Sequence, residues 1–173
     1  MRRVARLRQA TVAVLALALL GVLPAAAFDT VPAPRVDTTL NPWVPPLLNL
    51  AAAWLETPGC RQVLFDFEDS RTGQPLAQRL AATGLTATAY VTSLSFLDGS
   101  GTDTCERSFV EAHTTVGGGT IFVCRTEFFR KAKADRTDAT AILIHEVLHS
   151  LGLSENPPTP SEINRGILKR CGW

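Results

Sequence analysis

The chain has 173 residues, with 17 Lys and Arg against 16 Asp and Glu and a formal net charge of +1. That near balance excludes a polybasic nucleic-acid binder, and the length suits one domain with a real core rather than two.

The first 27 residues read as a secretory signal peptide. Arg2, Arg3, Arg6 and Arg8 precede an apolar run from Val12 to Leu23, and Pro24-Ala25-Ala26-Ala27 offers a small-residue cleavage site before Phe28. The run is short for a membrane span, so no stable membrane insertion is expected after cleavage at Ala27. Removing residues 1–27 takes Lys and Arg from 17 to 13 and leaves the 16 acids, a net charge of −3 for the exported part. All four cysteines, Cys60, Cys105, Cys124 and Cys171, fall in that part. In a secreted or periplasmic protein they favour two disulfides, Cys105–Cys124 across a β-hairpin and Cys60–Cys171 tethering the carboxyl-terminal helix.

Phe28 to Thr39, rich in Pro and Thr, reads as an extended arm. Asn41-Pro42 then opens a helix along Trp43, Leu47, Leu50, Ala51, Trp54 and Leu55 that ends near Thr57-Pro58-Gly59. Residues 63–67 suggest a short apolar strand, 75–82 a helix stopped by Gly84, and 85–97 a strand. After Asp98-Gly99-Ser100-Gly101 the pattern predicts a strand over 108–116, a turn at Gly117-Gly118-Gly119, a strand over 120–124 and a helix over 127–133. Arg130-Lys131-Ala132-Lys133 is too short to bind nucleic acid and reads as a solvated helix face.

Thr137 or Asp138 can cap the next helix, whose apolar residues Ala139, Ala141, Ile142, Leu143, Ile144, Val147, Leu148 and Leu151 mark it as buried. Inside it stands His145-Glu146-Val147-Leu148-His149. One helical turn apart, His145 and His149 share a face and can hold a single cation, while Glu146 lies beside them as a general base. Leaving such groups unpaired in a core costs several kcal/mol, on the order of a lost buried hydrogen bond or more, so a metal partner is expected. Gly152 is placed to close the helix.

Two carboxylates compete as third ligand. Glu155 follows Gly152 by three residues, and Glu162 sits in Thr159-Pro160-Ser161-Glu162, which also reads as a capping box opening a helix with Ile163, Ile167 and Leu168 on its apolar face. His113, the remaining histidine, reads as a strand residue facing solvent or a substrate groove.

His145-Glu146-Val147-Leu148-His149-Ser150-Leu151-Gly152-Leu153-Ser154-Glu155 resembles the extended metzincin signature, with glutamate in place of its last histidine. With the signal peptide and the run to Pro158, the chain resembles secreted bacterial zincin-type metallopeptidases over residues 141–158. One departure is that Met1 is the only methionine, so no Met-turn is present.

The resemblance implies an α+β, minimal zincin-like domain over residues 28–173: a small, mostly antiparallel sheet packed on the active-site helix, with flanking helices. It implies Zn2+ held by His145, His149 and Glu155, with Glu146 as the base that activates water for peptide hydrolysis. An edge strand above the cleft would bind a peptide or protein substrate, and the strand after the glycine turn is the candidate. Tyr90, Arg165 or backbone amides would have to assist the oxyanion. The expected protein is a monomer. The alternative reading is a non-catalytic exported metal-binding or disulfide-stabilised binding protein.

Overall fold

The computed structural model describes residues 33–172; the signal segment and residues 28–32 of the arm lie outside them. Pro45 and Pro46 occupy the first turn of helix α1 (Val44–Glu56), where a missing N–H costs nothing. Its Val44, Leu47, Leu48, Ala51 and Leu55 repeat at helical spacing and are buried. Thr57 ends α1 and caps α2 (Pro58–Arg61), and α3 (Val63–Asp66) follows directly. The expected strand at 63–67 is therefore helical. An apolar run as short as Val63-Leu64-Phe65 does not distinguish the two by itself, and here Val63 and Leu64 are buried in the core from a helical turn.

Helix α4 (Leu76–Ala82) lies where expected. The segment 85–97 is not one strand. Thr86 Oγ1 accepts from the Ala89 N–H and caps α5 (Ala87–Ser93), which buries Ala87 and Val91 one turn apart. Only its end, Ser95–Asp98, is extended. The remaining helices are α6 (Arg125–Ala134), α7 (Arg136–Leu151) and α8 (Pro160–Cys171).

Strands β1 (Arg35–Val36), β2 (Ser95–Asp98), β3 (Ala112–Thr114) and β4 (Thr120–Val123) form a sheet ordered β1-β2-β4-β3. The pairings β1–β2 and β2–β4 are parallel and β3–β4 is antiparallel. The class is mixed α and β as expected, but the mostly antiparallel sheet is corrected to a mixed one. Parallel neighbours need long crossovers, and the chain supplies them: α1–α5 between β1 and β2, and the segment carrying β3 between β2 and β4. The described part of the arm pairs with β2 and leads into the fully buried Leu40.

The order also relocates the free edge. The strand after the glycine turn, β4, is interior, and β3 is the edge beside α7. In register, Phe96 of β2 meets Ile121 of β4, both fully buried. Beside β3 lies α7, in which every residue from Ala139 to Leu151 is buried. A helix buried all round is a core helix, and α1, α4, α6, α8 and β3 all pack on this one.

Both disulfides pair as expected. Cys60–Cys171 joins α2 to the end of α8, and Cys105–Cys124 fastens the loop before β3 to the end of β4. Among the described residues no helix is long and apolar enough to cross a membrane.

Candidate metal centre

Asp135, rather than Thr137 or Asp138, caps α7: its carboxylate accepts the N–H groups of Thr137 and Asp138 at 2.7 and 3.2 Å. The chain enters the core from there and presents His145, Glu146 and His149, each about 95% buried. Gly152 ends the helix at φ +120°, and its N–H returns to the carbonyls of His149 and Leu148. Leu153 to Glu155 then double back over the histidine face.

The second nitrogen of each ring decides what the first can do. His145 Nδ1 lies 2.8 Å from Asn164 Oδ1, and His149 Nδ1 lies 2.8 Å from the Leu153 carbonyl. Oxygens of those kinds only accept, so each Nδ1 carries the proton and each Nε2 of a neutral ring is a bare lone pair. The two Nε2 atoms face one another at 2.8 Å, and Glu155 Oε1 stands 3.1 and 3.2 Å from them. Three acceptors thus converge with no donor among them. One proton can bridge two of the three, whereas a multivalent cation engages all at once. A tetrahedral ion with bonds of 2.0–2.1 Å sets its donors about 3.3 Å apart, close to the spacing here. The residues fit a metal.

Burial, and after it the neighbouring His149 ring, push His145 below the usual imidazole range, which keeps it in the neutral form that a metal ligand requires. Glu146 is pushed up to about 8 by burial, then by the Glu155 charge, against an opposing contribution from the Thr114 backbone N–H. Its Oε2 is buried without a hydrogen-bond partner. A carboxylate oxygen left that way beside the histidines, all ligand atoms of the three residues lying within 4.8 Å of one another, suits a site completed by a cation and a water.

The site opens into a cavity of about 440 Å³. Its walls include Ile142, His113 and Val116, with the 79% exposed Phe109 among the lining residues. Of the two carboxylates weighed from sequence, Glu155 is at the histidines. Glu162 accepts from the Thr159 N–H and hydroxyl at 2.8 Å in a complete capping box, and it lines a separate cavity with Ser154 and Pro158. His113 stacks on Phe122 and borders the cleft without joining the group of ligand atoms. Tyr90 is turned the other way, its hydroxyl 3.1 Å from Ser150 Oγ, and neither it nor Arg165 lines the cavity.

Sequence reasoning missed Asn164 and the Leu153 carbonyl. Asn164 had no signal, being one polar residue on a helix read for its apolar face. Leu153 was open to inference, because a chain reversing at Gly152 brings the next carbonyl over the last turn. No protein family, curated protein or solved structure matches the chain.

Proposed function

We propose that the chain is an exported zinc-dependent endopeptidase of zincin type. The observation that carries the reading is the convergence of His145 Nε2, His149 Nε2 and Glu155 Oε1 within 3.2 Å of one another, with the unpartnered Glu146 carboxylate alongside. Two imidazoles and one carboxylate are a donor set suited to a catalytic zinc with an open position. Bound there, zinc supplies Lewis acidity, lowering the pKa of water to around 7 and polarising a scissile carbonyl.

The residues supply the rest. Glu146 takes the proton from the attacking water and passes it to the leaving amine. Asn164 and the Leu153 carbonyl hold the two rings in the tautomer that points Nε2 at the metal. The edge strand β3, whose Ala112 to Thr114 line the cavity, offers backbone to an extended peptide. The two disulfides fit an oxidising compartment, which supports export.

Glu146→Gln is expected to keep bound zinc and lose cleavage of a peptide library by at least about a hundredfold. An unchanged rate sinks the assignment of the base. His145→Ala is expected to lose zinc by elemental analysis, and equal zinc content sinks the ligand set. A non-catalytic metal protein would also bind zinc but would leave the library intact, and a buried general base has no use in such a site.

A further inference from the structure

Glu155 sits on a surface segment, yet a metal donor has to be held to about half an ångström. Residues 67–76 form a narrow antiparallel ribbon: Asp69 N–H donates to the Gln74 carbonyl, Leu76 N–H to that of Phe67, and Glu68 bridges Pro75. Its tip folds under the end of α7. There Ser70 donates twice to the Gly152 carbonyl, from its N–H at 3.0 Å and from its hydroxyl at 3.1 Å. Among the described residues these are the hydrogen bonds that reach the backbone of residues 152–155 from outside α7.

The tip is itself firmly held. Asp69 is 1% exposed, its Oδ2 lies 2.9 Å from Arg79 Nε of α4, and its Oδ1 accepts the Arg71 N–H at 2.9 Å. A buried carboxylate paired in this way is costly to displace. Its Cγ lies against Gly152, where an added Cβ would come within 2.8 Å of it. Gly152 is thus required twice, by φ and by contact. Arg71 reaches the other way, donating to the Val116 carbonyl at 3.2 Å, and the adjoining Gly117 N–H donates to the His149 carbonyl at 2.9 Å.

We propose that the turn Asp69-Ser70-Arg71 is the positioning element of the metal centre. Through Gly152 it sets the path of Leu153 to Glu155, and so places both the acceptor that orients His149 and the third donor. The inference rests on the metal reading above and gives Ser70, 82 positions before Gly152, a role that the distance in sequence conceals. None of the three lines the cavity at the histidines; they act through the segment they hold.

The test uses the oxidised, purified chain with Zn2+ as probe, in Ser70→Ala, Asp69→Asn and Gly152→Ala. Zinc affinity is measured by chelator competition, and the Nδ1–H signals of His145 and His149 are followed by NMR in the metal-free protein. Affinity is expected to fall about tenfold in Ser70→Ala and further in Gly152→Ala. The His149 Nδ1–H signal should shift or exchange faster while that of His145, held by Asn164 on α8, stays in place. A general loosening would move both signals together, and that result overturns the proposal, as does unchanged affinity in Ser70→Ala and Gly152→Ala. Asp69→Asn removes the charge that pairs with Arg79 and is expected to lower zinc affinity in the same direction, and Ser70→Ala and Gly152→Ala decide where it does not fold. A wild-type chain that binds no zinc overturns the metal reading and this inference with it, whereas wild-type binding with unaltered variants overturns this inference alone.

Discussion

At the residue scale, the chemistry turns on which atom carries a proton. Asn164 Oδ1 and the Leu153 carbonyl take the Nδ1 protons, and only then do two Nε2 lone pairs and a Glu155 oxygen meet. Asn164→Ala frees the His145 ring to rotate or change tautomer, so zinc affinity should fall about 10- to 100-fold in chelator competition with little change in melting temperature. Affinity within twofold of wild type would show that packing alone orients the ring. The pentapeptide at 145–149 was legible because its spacing is a local property of a helix. Glu155 and Glu162 were weighed as alternatives with Glu155 the one that the resemblance implied, and Glu162 takes the capping contact with Thr159 that the sequence also suggested.

At the element scale, α7 was readable from its apolar run and its closing glycine, while the two missed elements were short. Residues 85–97 carry Thr and Ala in alternation, which imitates a strand, but the Thr86 cap and a contact from α1 favour helix in the first half. That contact is the Glu56 carboxylate, which accepts the Thr88 N–H at 3.0 Å and pairs with Arg61 at 2.8 Å. The Thr88 N–H, opposed by burial and then aided by the Thr88 hydroxyl and Arg61, holds Glu56 below its ordinary value of 4.5. A depressed carboxylate stabilises the fold above the unfolded pKa, and that contribution is lost as pH falls through the folded value. Glu56→Gln should therefore lower the melting temperature at pH 7, with the difference from wild type shrinking below pH 4.5. A difference independent of pH would mean that shape, not charge, matters at this helix junction.

At the scale of the molecule, the two disulfides tie down the parts that border the site. Cys105–Cys124 fixes the loop that carries Phe109 at the cleft, and Cys60–Cys171 spans 111 residues to pin the end of α8. Closing so long a loop restricts the unfolded chain strongly, so replacing both Cys60 and Cys171 by serine should cost about 2–5 kcal/mol in denaturant unfolding. Because α8 also carries Asn164, zinc affinity should fall in the same variant. Unchanged unfolding would mean that the core on α7 holds α8 without the bridge.

The sequence by itself determined what is encoded within a few residues: His145 and His149 one helical turn apart with Glu146 beside them, the closing glycine, and the capping box at Thr159. Those features depend on helix geometry and on φ, which neighbours along the chain settle among themselves. The tertiary structure decided what depends on distant segments meeting. It set the sheet order, in which β3 rather than β4 is the edge, because pairing partners are chosen by packing and crossover length. It also placed Glu155 rather than Glu162 beside the histidines, and brought Asn164 to His145 and the Asp69–Arg71 turn to Gly152, since hydrogen bonds across 19 and 82 residues leave no periodic trace in a sequence.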